Sequence, residues 1–386
     1  MRVLITDDSA FMRRAISQMI EKDPGLEVVG TARDGKEAVE KAVSLKPDLV
    51  TLDIEMPVMD GLTALREIRL QCSDPKPAVL MCSSLTTQGS KEAIMALRLG
   101  AVDVIAKDPA TVGAEPEKFR DELLAKIRAI LDTRARFRPG ARRASAPTQA
   151  PGRSAGAAAP ATGVRTGAVE HRPQQRPDRP VSTELRRKGF DLVLIGSSTG
   201  GPPVLEKVVG ALPGTFPYPV VVAQHMPKLF TQSLAERMNE ISRVRVHHAT
   251  SDTPLTGGNV YIIEGGKHGR IRSGVSLGSR YALEISGEPS NTLYKPAVNE
   301  LFASASRGNA HSCLAIVLTG MGDDGALGAA DLKRAGAQIL AQEASTCVVY
   351  GMPRAVIDSP VGAEPMSPDE IGAFLASLAG ASARAA

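Results

Sequence analysis

Short apolar segments alternate with amphipathic segments over residues 1–133, and this alternation is the strongest constraint on the fold. In the amphipathic segments, apolar residues recur at helical spacing, as Phe11, Ala15 and Met19 do after the first apolar segment. Repeated strand–helix units predict an α/β fold with a doubly wound, five-stranded parallel sheet. The predicted strands lie at residues 3–5, 28–29, 49–54, 79–82 and 102–106.

Polar residues follow these strands at the carboxyl edge of the predicted sheet, where such sheets bind ligands. Asp7 and Asp8 follow the first strand, and Asp53 ends the third. Three carboxylates at one edge repel each other unless a cation lies among them, and an all-oxygen site suits Mg²⁺. A carboxylate beside Mg²⁺ can act as a nucleophile toward a phosphoryl group, whose oxygens Ser83 and Lys107 would hold. Taken singly, Asp8 could instead cap a helix and Lys107 could lie on the surface.

Residues 134–189 separate this block from a second one at 190–386. They are rich in proline, glycine and arginine, and residues 134–188 carry a net charge of +10, whereas the whole chain carries +4. The segment contains few large apolar residues, and their burial would not offset the conformational entropy lost on ordering. We therefore expect a disordered basic linker. Contact with nucleic acid or a membrane is the alternative, but Phe137 is the one aromatic residue that lies among the arginines.

The cysteine pattern and hydropathy bear on the compartment. Four cysteines are scattered without a Cys-x-x-Cys motif, which indicates buried free thiols in a reducing compartment. No apolar stretch approaches the ~18 residues of a membrane span, and the chain begins with a strand segment instead of a signal peptide. We therefore expect a cytoplasmic protein without direct membrane insertion.

The second block contains a Gly-x-Ser-x-Gly motif, in which Ser197 and Ser198 follow an apolar strand. This pattern predicts a nucleophile on a tight turn or, alternatively, a phosphate cradle at a helix N-terminus. A P-loop is disfavoured because no Gly-Lys-Ser/Thr follows and Pro202 opens the helix. Further strands predict a second α/β domain with a mostly parallel sheet and an antiparallel hairpin extension, the hairpin strands lying at 260–263 and 281–285.

A serine nucleophile needs a base, and His225 is the one histidine of six that directly follows an apolar strand. The histidine in turn needs an acid, for which Asp323 and Asp324 follow a third long strand. One could face His225 while the other caps the next helix, and the spacing does not choose between them. The order Ser…His…Asp differs from that of the α/β-hydrolases.

The segments LITDDSAFMR, LVTLDIEMPVMDGL, LMCSSLT and VIAK resemble the receiver domain of two-component response regulators. The resemblance implies phosphorylation of Asp53 by a chemotaxis histidine kinase, with Asp8, Asp53 and the Glu55 carbonyl around Mg²⁺ and Asp7 close by. Ser83 and Lys107 would be the switch residues. The usual Lys-Pro is replaced by Lys107-Asp108, which puts the geometry of the following loop in question.

The segments IGSSTGGP, AQHMP, LTGMGDDGALG and AQEASTCVVYGMPRA resemble the catalytic domain of the chemotaxis methylesterase family. The resemblance implies a triad of Ser198, His225 and Asp324, with Thr199 and Met321 nearby and no cofactor in this domain. It also implies demethylation of glutamate methyl esters and deamidation of glutamines on methyl-accepting chemoreceptors.

The predicted organisation is therefore a receiver at 1–133, a linker at 134–189 and a methylesterase domain at 190–386. A response regulator whose second domain is a non-catalytic anion- or partner-binding module is the alternative. A DNA-binding regulator is disfavoured because residues 190–386 show no helix-turn-helix signature, so we expect no nucleic-acid partner.

Overall fold

The computed structural model describes residues 1–84, 86–107, 116–137, 189–273, 279–308 and 310–382. Nearly all of the predicted linker lies outside these residues, as does Asp108.

The first block folds around a parallel sheet with strand order β2-β1-β3-β4-β5, which confirms the predicted five-stranded sheet. The strands are β1 (Arg2–Thr6), β2 (Glu27–Ala32), β3 (Leu49–Asp53), β4 (Ala78–Ser84) and β5 (Asp103–Lys107). The helices are α1 (Ala10–Glu21), α2 (Gly35–Leu45), α3 (Gly61–Gln71), α4 (Thr87–Arg98) and α5 (Pro116–Arg136). Successive side chains of a strand enter opposite layers: Val3 and Ile5 share a cluster with α1 and α5, and Leu4 shares one with α2, α3 and α4.

Helix α1 forms where the spacing predicted it, but it buries different residues. Ile16 and Ile20 are its fully buried side chains, whereas Phe11 is 71% exposed. The stripe through Phe11, Ala15 and Met19 marks the helix correctly, but the most fully buried stripe lies one residue further along. Both stripes have helical period, and the β-branched pair one position further along lies directly over the sheet.

The second block contains a seven-stranded parallel sheet of order β15-β14-β13-β6-β7-β10-β8 and a three-stranded antiparallel sheet of order β11-β12-β9. This confirms the predicted fold class. The strands are β6 (Leu192–Ser197), β7 (Val220–Gln224), β8 (Arg245–Ala249), β9 (Thr253–Leu255), β10 (Asn259–Ile263), β11 (His268–Ser273), β12 (Tyr281–Ser286), β13 (Cys313–Val317), β14 (Gln338–Gln342) and β15 (Glu364–Met366). The helices are α6 (Gly201–Gly210), α7 (Lys228–Ile241), α8 (Val298–Ser306), α9 (Ala326–Arg334), α10 (Met352–Ile357) and α11 (Pro368–Ser382).

The assignment of residues 260–263 to an antiparallel hairpin is wrong. They lie in β10, which pairs in parallel with both β7 and β8. Four consecutive buried residues from Val260 to Ile263 are typical of a parallel strand that is covered on both faces. The true antiparallel partners of β12 are β11 and β9.

The two blocks pack against each other through α4, which lies on α7. Buried apolar residues of both helices belong to one continuous cluster, and the Ser90 and Ser233 hydroxyls are 2.7 Å apart within it. Arg98 pairs with Glu206 of α6 at 3.4 Å. At the other end of the contact, the Tyr350 N–H donates to the Thr133 hydroxyl of α5 at 3.2 Å. The β5 edge of the first sheet thus faces the second block.

The cysteines are free and buried at all four positions, as predicted. Among the described residues, no helix combines the length and the apolar character needed to cross a membrane.

Candidate functional sites

Ser198 lies on the turn from the central strand β6 into α6. Its N–H donates to the Thr319 carbonyl at 3.0 Å, and its own carbonyl accepts from the Gly201 N–H at 2.8 Å. The turn needs glycine at position 200, where φ is +76° and an added Cβ would lie 2.5 Å from the Cβ of Val348. The sequence thus folds Gly-x-Ser-x-Gly into a tight strand-to-helix turn with the second serine at its apex.

His225 follows the neighbouring strand β7, and its N–H donates to the Ser197 carbonyl at 3.0 Å. Gln224, which sequence analysis missed, joins the two turns. Its Nε2 donates to the Ser198 carbonyl at 2.9 Å, and its Oε1 accepts from the Ser197 hydroxyl at 2.6 Å. Because the Ser197 hydroxyl is engaged in this buried contact, Ser198 is the better candidate for a nucleophile.

Asp324, rather than Asp323, contacts the histidine, with its Oδ2 2.8 Å from His225 Nε2. The same carboxylate accepts from the Val298 and Asn299 N–H groups, at 2.7 and 2.9 Å, at the N-terminus of α8. Burial raises the pKa of Asp324, but the His225 hydrogen bond and charge and the two N–H groups together hold it below its ordinary value of 3.8. Asp324 is therefore an ionised partner for the imidazole.

The helix that follows Asp324 is capped by a residue from elsewhere. Asn299 Oδ1 accepts from the Gly325 and Gly328 N–H groups at 3.1 and 2.8 Å, at the start of α9. The Asp324 carboxylate thus caps the N-terminus of α8, and the Asn299 side chain caps the N-terminus of α9. With Asp324 on His225, the other aspartate, Asp323, was expected to cap the next helix; this is wrong, because the Asn299 side chain accepts from those N–H groups.

His225 Nδ1 is buried and has no hydrogen-bond partner among the described residues. An Nε2–H that is donated to Asp324 leaves Nδ1 as the proton acceptor of the ring. One ring nitrogen is therefore held by Asp324 and the other is without a partner among the described residues, while the backbone N–H of His225 links it to the Ser198 turn.

Thr199 and Met321 connect this site to the first block. The Thr199 hydroxyl donates to Asp103 Oδ2 of β5 at 2.7 Å, and the same oxygen pairs with Lys126 of α5. The Thr199 carbonyl accepts from the Thr319 hydroxyl at 2.9 Å. Met321 packs against the apolar cluster that contains α5. Thr199, the residue after Ser198, thus forms hydrogen bonds with both blocks.

The first block brings Asp7, Asp8 and Asp53 together, with ligand oxygens within 4.8 Å of one another. Lys107 Nζ lies 2.5 Å from Asp53 and 3.1 Å from Asp7. Burial raises the pKa of Asp53 to about 6, against the opposing charge of Lys107. A bound cation would favour the ionised form of this buried carboxylate, and a cluster of carboxylate oxygens fits Mg²⁺.

Ser83, the other predicted switch residue, lies at the end of β4, and Glu55, predicted to bind Mg²⁺ through its carbonyl, follows β3. The Ser83 hydroxyl donates to the Gly89 carbonyl of α4 at 3.0 Å rather than to a carboxylate. Glu55 Oε1 accepts from the Ser84 hydroxyl at 3.4 Å. The structure therefore assembles the three aspartates with Lys107, and it ties Ser83 to the helix that packs on the second block.

Comparison with known proteins gives matches in both blocks. Residues 3–112 match the response regulator receiver domain, and residues 193–375 match CheB methylesterase. A protein-glutamate methylesterase/protein-glutamine glutaminase of Oleidesulfovibrio alaskensis is 45% identical over 362 residues, 93% of this chain and 94% of the relative. One from Nitratidesulfovibrio vulgaris is 43% identical, covering 97% and 98%. The crystal structure of the Thermotoga maritima CheB methylesterase catalytic domain shares 34% identity and covers 49% of this chain and 99% of its own, with a TM-score of 0.46.

Proposed function

Since the chain belongs to the family of protein-glutamate methylesterases/protein-glutamine glutaminases, with a receiver domain and a CheB methylesterase domain, we propose that it is an adaptation enzyme of chemotaxis-type signalling. It demethylates glutamate methyl esters and deamidates glutamines on methyl-accepting chemoreceptors. Its receiver takes a phosphoryl group from a chemotaxis histidine kinase. The family membership confirms the identification made from the sequence motifs. The proposed division is a receiver at 1–133, a linker at 134–189 and a catalytic domain at 190–386.

The observation that supports hydrolysis most directly is the contact of His225 Nε2 with Asp324, beside the Ser198 turn. His225 Nδ1 accepts the Ser198 hydroxyl proton as Oγ attacks the γ-carbonyl carbon of the methyl ester. General-base assistance of this kind contributes about 10²–10⁴ in rate. Asp324 stabilises the imidazolium, which then gives its proton to the departing methanol. Water cleaves the acyl-enzyme by the same route and leaves glutamate, and with a glutamine substrate the leaving group is ammonia.

The oxyanion that forms on the carbonyl needs hydrogen-bond donors, and the Ser198 turn offers two. The Ser198 and Gly201 N–H groups are already bonded within the fold. In the part of the chain that the structure describes, no acceptor is assigned to the N–H groups of Thr199 and Gly200, which stand at the N-terminus of α6. We assign the oxyanion site to these two groups, each worth about 3 kcal/mol in the transition state.

The receiver acts as a lid on this site when it is unphosphorylated. Strand β5 carries both Lys107, which contacts the phosphoacceptor Asp53, and Asp103, which holds the Thr199 hydroxyl. Mg²⁺ held by Asp7, Asp8, Asp53 and the Glu55 carbonyl would neutralise the charge of the incoming phosphoryl group. Phosphorylation of Asp53 displaces Lys107 from its present contact, and the shift of β5 and α4 loosens the docking over Ser198.

Covalent labelling tests the catalytic assignment. A fluorophosphonate reagent should label the wild type at Ser198, and Ser198→Ala and His225→Ala should abolish labelling. Ser197→Ala is the matched control and should still be labelled, more slowly, because Gln224 loses one of its partners. Unchanged labelling of Ser198→Ala would contradict the assignment. An unlabelled wild type that still binds anions would favour the non-catalytic alternative.

A further inference from the structure

Tyr294 lies against the face of the His225 imidazole, a contact that neither the motifs nor the proposed triad includes. The two ring centroids are 4.2 Å apart and the ring planes differ by 12°. Asp324 meets the imidazole at its edge through Nε2, whereas Tyr294 covers it from above. The histidine is therefore held in two perpendicular directions by residues from different elements.

The loop that carries Tyr294 runs from β12 to α8 and is anchored on both sides of the ring. His268, which is fully buried at the start of β11, accepts from the Ala297 N–H at Nδ1, at 3.2 Å. Its Nε2 lies 3.0 Å from the Thr292 hydroxyl. The Lys295 carbonyl also accepts from the Gly266 N–H at 3.0 Å. Burial lowers the pKa of His268, so its ring stays neutral and keeps Nδ1 as an acceptor. A loop fixed at three points gives the Tyr294 ring a defined position.

Building on the proposed serine-hydrolase function, we propose that Tyr294 is a positioning residue for the reaction. Its ring keeps the imidazole aligned and stabilises the imidazolium that forms when His225 takes the Ser198 proton. A cation over the face of a neutral aromatic ring is attracted by the ring quadrupole, and more strongly when water is excluded.

The surroundings of Tyr294 fit this role. Burial raises the pKa of the Tyr294 phenol and the Asp324 carboxylate raises it further, so the ring remains neutral. The charged groups that act on it are Asp324 and Asp323 from its own domain and Lys126 and Glu122 from α5 of the receiver. His225 is stacked on the ring face, so the imidazolium charge forms in direct contact with it.

The test compares Tyr294→Leu, which keeps apolar volume but removes the aromatic face, with Tyr294→Phe, which keeps the face. Full-length protein is assayed for methanol release from membranes that carry methylated chemoreceptors, with a small-molecule phosphodonor present. We expect Tyr294→Leu to lower kcat about tenfold with KM changed less than about twofold. Tyr294→Phe should recover most of that loss. Labelling of Ser198 by the fluorophosphonate should slow in parallel.

Leu293→Ala is the matched control, because Leu293 is the preceding loop residue and is 85% exposed. Its kcat should stay at the wild-type value, and thermal unfolding should show that all three variants are folded. The inference fails if Tyr294→Leu keeps the wild-type kcat, if it raises KM alone, or if Tyr294→Phe is as slow as Tyr294→Leu. A failure of the proposed serine-hydrolase function gives a different result from a failure of the Tyr294 inference, because Ser198→Ala would then retain methanol release.

Discussion

Ser90 is the position where the lid hypothesis can be tested with the least disturbance to the active site. It lies on α4, is 1% exposed, and shares a 2.7 Å hydroxyl contact with Ser233, which is 5% exposed. When the receiver undocks, both serines face solvent. Ser90→Arg should therefore leave each domain folded while making the docked arrangement unfavourable.

The magnitude follows from the contacts. Loss of the hydroxyl hydrogen bond costs about 1 kcal/mol, and forcing a larger side chain into a packed interface costs about 1–3 kcal/mol. Together these weaken docking by about 2–4 kcal/mol, or about 30- to 1000-fold. The basal rate without phosphodonor should rise toward the phosphorylated rate, and phosphodonor should then add little.

The assay is methanol release from membranes with methylated chemoreceptors, with and without phosphodonor. Ser44→Arg on α2 is the matched control, because Ser44 is exposed on a helix of the same domain and its hydroxyl donates within that helix, to the Glu40 carbonyl. Its basal rate should equal that of the wild type. A folded Ser90→Arg protein with an unchanged basal rate would refute inhibition by docking.

Two further predictions concern the ionisable residues of the sites. Asp53→Asn removes the acceptor carboxylate, so the ratio of methanol-release rates with and without phosphodonor should fall to about 1; a retained response would place phosphorylation elsewhere. The contacts of Asp324 hold its pKa in the folded state below the ordinary value of 3.8. The ionised carboxylate therefore contributes fully to the free energy of unfolding above pH 3.8, and this contribution is lost as the pH falls through the folded-state pKa. Urea unfolding should show the stability gap between wild type and Asp324→Asn narrowing from about pH 5 to about pH 2, and a constant gap would contradict this.

The sequence predicted the sheets and the rim residues because both depend on local patterns. Apolar strands followed by polar residues place Asp53, Ser198 and His225 at carboxyl edges without any knowledge of packing. Chain order and strand position also brought Asp323 and Asp324 to the correct edge. These features follow from the period of the strands and the rule for parallel crossovers.

What sequence reasoning missed depends on contacts between distant segments. The strand spacing did not choose between Asp323 and Asp324, and only the family resemblance implied Asp324. The physical reason for Asp324 lies at the N-terminus of α8, whose N–H groups precede it by 25 and 26 residues in the chain. Tyr294 reaches His225 from a loop that His268 anchors, and no periodicity signals such a contact. Gln224 was visible in the motif AQHMP, where it ends an apolar strand directly before His225, and that position was the sequence signal that could have identified it.

The buried face of α1 and the position of β10 are two further features that periodicity left open or that were predicted wrongly. The choice between Phe11 and Ile16 as core residues depends on how the helix is rotated over the sheet, which period alone does not fix. Residues 260–263 were assigned to a hairpin because glycines flank them, although their unbroken apolar run was the better guide to a parallel strand.

Whether Ser198 is the nucleophile of a phosphorylation-activated methylesterase is decided by phosphodonor-dependent methanol release from membranes bearing methylated chemoreceptors, measured for wild type and for Ser198→Ala. We expect release by the wild type that rises with phosphodonor, and loss of nearly all release in Ser198→Ala under both conditions. Wild-type release that Ser198→Ala retains would contradict the proposed catalytic site, and the absence of release from the wild type would contradict the proposed substrate.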